Sequence, residues 1–171
     1  NITFVDSAGI DFATSAGSDG DLFINSSTDG TVGGNLSVTA TTGNITDTVA
    51  VVTTGSSTSS FTTSATNGTI DLSTPASLAG AVTINTAGAS GNATIDNGTT
   101  ALIIAESSIG GNLTVTSGAA AGITDTGTVT VGGNLVATTD AGNGVINLDT
   151  AAVTGTMDLT TNGSGNVTID N

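Results

Sequence analysis

The side chains able to do chemistry in this sequence are few and of one kind. Its ionisable side chains are thirteen aspartates and Glu106, giving a formal charge of −14, with no Lys, Arg, His, Cys or Tyr. Carboxylates alone can act as an acid–base pair, as in glycoside hydrolysis, or as oxygen ligands for a hard cation such as Ca²⁺. Asp47, Asp71 and Asp96, then Asp125, Asp149 and Asp170, recur at intervals of 21–25 residues, which could align acids along one face. The densest acidic cluster is Ser18-Asp19-Gly20-Asp21 with Asp29-Gly30 close by. Asp19, Asp21 and Asp29 are therefore the candidate metal ligands, and Ca²⁺ the one candidate cofactor. Two carboxylates about 5 Å apart repel by about 0.8 kcal/mol even in water, and a cation would relieve that. The cluster does not match the Gly-Gly-x-Gly-x-Asp calcium nonapeptide. The competing reading places Asp at turns, where its side chain bonds the backbone. It is favoured here, because a glycosidase groove would carry aromatic platforms and basic partners, and the only aromatics are four Phe. No catalytic residue is assigned, and the chain is read as non-enzymatic.

The missing residue types exclude more. Without Cys, His, Lys or Arg there is no disulfide, thiolate or imidazole metal site, histidine-based triad, Schiff-base lysine or side-chain ion pair. Nucleic acid is not an expected partner, since phosphate contacts draw mainly on Lys and Arg. An anionic membrane surface is excluded for the same reason, and no run of about 18 apolar residues suggests membrane insertion. Low charge content (8%) and a mean hydropathy of +0.29 also argue against acidic disorder.

What must position these residues is a repeat. Gly-Gly-Asn-Leu occurs at Gly33–Leu36, Gly110–Leu113 and Gly132–Leu135, the last two 22 residues apart. The segment from Gly91 to Asn97 returns from Gly165 to Asn171, so residues 31–97 and 108–171 are imperfect copies. Leu102, Leu113, Ile123, Leu135, Ile146, Met157 and Val167 mark short alternating stretches at steps of 10–12. Alternation of apolar with Thr, Asn or Asp reads as strands with one buried and one wet face, for example at 113–116, 129–131, 145–148 and 167–170. Thr, about a fifth of the chain, and Val and Ile suit strands, while the 25 Gly and the Asn residues suit turns.

Short strands at a step of about 11 suit an antiparallel sandwich or a parallel solenoid. Identical tetrapeptides 22 residues apart decide for the solenoid, because residues one coil apart lie above one another: Gly over Gly, Asn over Asn, Leu over Leu. The expected fold is all-β, a parallel β-helix (β-solenoid) forming a single unit over 1–171. It would have about eight coils of 20–24 residues, roughly 35–40 Å tall at the interstrand spacing. Ile2-Thr3-Phe4-Val5-Asp6 repeats the pattern that follows Asn97, and the final segment is an ordinary coil. Both ends are therefore expected to be uncapped, open for self-association end to end or for further coils.

Gly110–Thr116 with Gly122–Thr126 resembles the β-strand-repeat regions of large bacterial secreted adhesins of the filamentous-haemagglutinin type. The resemblance covers nearly the whole chain. It implies a right-handed parallel β-helix, export to the cell surface and a passive role as stalk or filament, with host-cell or neighbouring-cell glycans as partners. Absence of Lys and Arg would suit a secreted chain, since a trypsin-type protease finds nothing to cut. Thr-x-Thr pairs (Thr114/Thr116, Thr124/Thr126, Thr128/Thr130) could form an ice-binding array, but they do not recur at one coil phase. Asn-x-Ser/Thr sequons, such as those at Asn35, Asn97 and Asn112, could accept glycans in a secreted protein; stacked amide ladders explain Asn35, Asn112 and Asn134 equally well.

Overall fold

The computed structural model describes residues 1–13, 21–22 and 31–171, and these build a parallel β-solenoid of about six turns. One sheet stacks Ile10–Phe12, Ile45–Asp47, Ile70–Leu72, Ala93–Asp96, Leu113–Ser117, Leu135–Thr139 and Met157–Thr160, with Asp21–Leu22 on the outer edge of Ile10–Phe12. A second begins with Ile2–Asp6, Leu36–Ala40, Ser59–Thr66 and Ala81–Ala87. It then divides into two columns. One runs Leu102–Ile104, Ile123–Asp125, Ile146–Leu148, Val167–Ile169, and the other Ser107–Ile109, Val129–Val131, Ala151–Val153. A small third sheet pairs Thr31–Val32 with Val52–Thr53, which Ser77 bridges in turn. Every pairing is parallel, and among the described residues there is no helix, so no helix long and apolar enough to cross a membrane.

About six turns is fewer than the eight expected. The count of eight assumed 20–24 residues throughout, which holds from Ile70 onward: Ile70, Ala93, Leu113, Leu135 and Met157 are stacked in sequence. The first turn is far longer, since Ile10 pairs with Ile45, a separation of 45 − 10 = 35 residues. The ends also differ from each other. Asp21–Leu22 lies along the outside of Ile10–Phe12, whereas Met157–Thr160 pairs along one edge only.

The core is a set of vertical columns. Leu113, Leu135 and Met157 share one; Ile123, Ile146 and Val167 another; Ile109, Val131 and Val153 a third. Near the amino-terminal end Phe4, Val38, Phe61 and Ile84 stack, and Phe12 meets Phe61 edge to face at 6.2 Å and 81°. Like side chains at the interstrand spacing of about 4.8 Å touch along their full length. A narrow core of Ile, Leu, Val and Ala thus excludes water with few large residues.

The recurrent Gly-Gly-Asn-Leu marks a corner that must accept a copy of itself from below. Asn92 Oδ1 accepts the Asn112 N–H, Asn112 Oδ1 the Asn134 N–H and Asn134 Oδ1 the Thr156 N–H, at 2.8–2.9 Å. The preceding residues, Gly111, Gly133 and Gly155, lie directly over those amide oxygens, and each donates its N–H to the glycine one coil below. Asn1, Asn35 and Thr58 repeat the arrangement at the other end. The ladder read for Asn35, Asn112 and Asn134 is therefore present, but side chain to backbone rather than amide to amide. A Cβ on Gly133 would collide with Asn112 Oδ1 and lie 2.9 Å from the Gly111 carbonyl, whereas one on Gly33 would meet nothing within 4 Å among the described residues. Gly133→Ala is expected to destabilise by about 1–3 kcal/mol, the usual cost of overpacking, and Gly33→Ala to change stability by less than about 0.5 kcal/mol; urea titration of the two variants checks this.

Candidate functional site

Of the residues expected to bind Ca²⁺, Asp19 and Asp29 lie outside the described residues, and Asp21 is described only through its backbone, which pairs with Asp11. Among the described residues no three acids come close enough to hold a metal ion.

The periodic aspartates do not form one column. Asp71 and Asp96 face outward, Asp71 beside Thr46 and Thr94, and Asp96 beside Thr116. Asp47 instead occupies an inward register position beside Phe12, and Asp125 one beside Ile104. Asp47 is one residue out of register with Asp71, which moves its side chain to the opposite face, and Asp125 lies in the other sheet, so near-constant spacing in sequence did not give alignment in space.

Asp47 and Asp125 end the same tripeptide, Ile-Thr-Asp, and each turns back to cap the following coil. The Asp125 carboxylate is well supplied: it accepts the Asp149 N–H at 3.2 Å, the Thr150 N–H at 2.9 Å and the Thr150 hydroxyl at 2.7 Å. Asp47 Oδ1 accepts the Thr74 N–H at 3.2 Å, and its Oδ2 is buried without a partner among the described residues. Burial raises its pKa to about 6; hydrogen bonding from Thr74 opposes the rise, and the Asp71 and Asp11 charges add to it.

The sequon asparagines divide by environment. Asn97 is fully buried: its Oδ1 accepts the Leu78 N–H at 2.7 Å, and its Nδ2 donates to the Leu78, Thr100 and Ala101 carbonyls. Asn35, Asn44, Asn67, Asn92 and Asn112 are exposed, with Oδ1 tied to the next coil. The Thr-x-Thr pairs make no continuous plane, since Thr114 is followed in its column by Val136 and Asp158. A different array, mixing Ser and Asn with Thr, does stack in register: Thr3, Ser37, Ser60 and Thr83 form one outward column, and Thr39, Thr62, Asn85, Ser108 and Thr130 the neighbouring one.

That array runs into a groove of about 620 Å³ lined by Thr83, Asn85, Glu106, Ser108, Thr128 and Thr130, with Ser107 at its base. The groove lies where the second sheet divides. Val82 pairs with Ile104 but Asn85 pairs with Ser108, so three steps below meet four above. The extra residue bends the upper strand outward at Ala105-Glu106, as a β-bulge does. Ser107 repairs the ladder there, its hydroxyl accepting the Ile84 N–H at 3.0 Å and donating to the Ala105 carbonyl at 2.8 Å.

Comparisons with family models, curated proteins and solved structures find nothing that matches this chain.

The Asp47 environment fixes a pH dependence. Its carboxyl holds a proton up to about pH 6 in the folded chain but only to about 3.8 when unfolded. This stabilising contribution is therefore complete below about pH 4 and lost as pH rises through 6. Asp47→Asn keeps an acceptor for Thr74 and removes the charge. It is expected to be more stable than the parent at pH 7 and to lack this part of the slope between pH 4 and 6. Urea titrations of both proteins across that range check it, the other acids cancelling in the comparison.

Proposed function

We propose that this chain is a non-catalytic structural segment of an extracellular stalk or filament, of the kind found in adhesins, whose coils join end to end. The supporting observation is the state of the core at the last coil. Met157 and Val167 occupy inward positions directly over Leu135 and Ile146; the two lower residues are 0% exposed, the two upper ones 38% and 44%. A further coil of the same register would cover them. Ile2 and Phe4, half-buried against the core at the other end, supply a matching apolar rim. The backbone edge of this last coil is open as well. Ile146 N–H bonds the Asn166 carbonyl and Asp170 N–H the Leu148 carbonyl. Alternation along the strand therefore points the Val167 and Ile169 N–H groups toward the next level.

An added coil would bury about 25 cal/mol per Å² of apolar surface and extend each ladder. Its opponent is the −14 charge of each copy, which salt screens over about 8 Å at physiological ionic strength. The outer side of the cell suits such a chain, because trypsin-type proteases have no site to cut and the carboxylates keep the filament soluble.

Electron microscopy and sedimentation of the purified chain test the reading: fibres or linear oligomers are expected, growing with concentration and with added salt. Replacing Met157 and Val167 together with Lys places charges on the open rim, a known way of blocking edge association, while lowering the net negative charge. Loss of assembly in that double variant supports end-to-end joining. A chain that stays monomeric at every salt concentration, or an equally fibrous variant, overturns it.

A further inference from the structure

We infer that the groove at Glu106, with the hydroxyl columns leading into it, binds a neutral polysaccharide chain. Three features identify the ligand. First, the polar groups are of one class. Thr83, Ser108, Thr128 and Thr130 present hydroxyls that both donate and accept, and Asn85 adds a carboxamide whose Oδ1 already accepts the Ser108 N–H at 3.1 Å, leaving its amino group to donate. Such a surface matches a ligand that itself carries many hydroxyls.

Second, the charge distribution excludes other classes. Glu106 is the one ionisable side chain in the lining, and no basic residue exists anywhere in the chain, so an anionic polymer would meet only repulsion. A cationic partner would favour the face where Asp11 and Asp71 share a column with Asp158. One carboxylate is too few for a Ca²⁺ site. It can, however, accept two hydroxyls of a sugar ring as charge-assisted hydrogen bonds.

Third, the spacing is periodic along the solenoid axis. Asn85, Ser108 and Thr130 lie on successive levels, as do Ser37, Ser60 and Thr83. Their separation of about 4.8 Å is close to the rise of one ring in an extended pyranose chain. A polysaccharide lying parallel to the axis would present one ring to each level. The open columns would guide it, and the bulge at Ala105-Glu106 would supply the wall that fixes its position.

Affinity electrophoresis of the purified chain through gels containing mannan, xylan or a mixed-linkage β-glucan, with alginate as the anionic comparison, tests this independently of assembly when run on the Met157→Lys/Val167→Lys variant. Retardation is expected in at least one neutral gel, unchanged by added salt, and none in alginate. Asn85→Asp combined with Thr130→Asp keeps the Ser108 acceptor and adds two charges to the groove; it should weaken retardation at least tenfold. Thr138→Asp, on the other sheet, should leave it unchanged, with circular dichroism showing all variants folded. Unretarded migration in every neutral gel, retardation only in alginate, or full retardation of the Asn85→Asp/Thr130→Asp variant would overturn the proposal.

Discussion

The structure depends on one constraint: each coil must hydrogen-bond in register to the coil beneath it while every side chain tolerates a neighbour about 4.8 Å away along the axis. Inside, that favours columns of matching apolar residues such as Leu113, Leu135 and Met157. At corners it favours glycine, because backbone there runs against backbone: Gly133 donates to Gly111, and Gly155 to Gly133. Outside, it favours short uncharged side chains, since a charge on every level would face its own copy. The abundance of Thr, Gly and Asn follows from this geometry.

Polar groups near the interior follow the same logic. Asn97 is tolerated at full burial because its carboxamide is satisfied on both atoms. Asp125 is tolerated because three donors converge on it. Asp47 ends the same tripeptide on the other sheet, with Thr74 as its donor and Oδ2 buried without a partner among the described residues, and burial displaces its carboxyl pKa to about 6. Identical tripeptides thus acquire different partners from the following coil: Asp149-Thr150 closes over one carboxylate, whereas Thr74 reaches the other.

Much of this was legible in the residues. Gly-Gly-Asn-Leu at a 22-residue step implied parallel stacking, and strands fall at 113–117, 129–131, 146–148 and 167–169, close to where alternation placed them. What escaped has physical causes. The 35-residue first turn holds only one copy of the tetrapeptide, Gly33–Leu36, and no second copy to measure its length against. The aspartate spacing varied by a few residues, which is harmless to a coil count but decisive for which face a side chain takes. The hydroxyl columns mix Ser with Thr, so Thr-x-Thr spacing does not mark them. The groove arises from one extra residue between Ile104 and Ser108, a feature that acquires meaning only when two coils are superposed.

The Asn–Gly corner also has an evolutionary side. Gly110 and Gly132 open the same tetrapeptide, so excising the 22 residues between them would rejoin the chain as Gly-Gly-Asn-Leu. Asn134 would then meet Asn92 where Asn112 met it before. That corner ladder would close again, one storey shorter, while the Asp125 cap on Asp149-Thr150 would leave with the excised coil. Unequal recombination within such a gene would therefore change the reach of the protein while rebuilding the same corner.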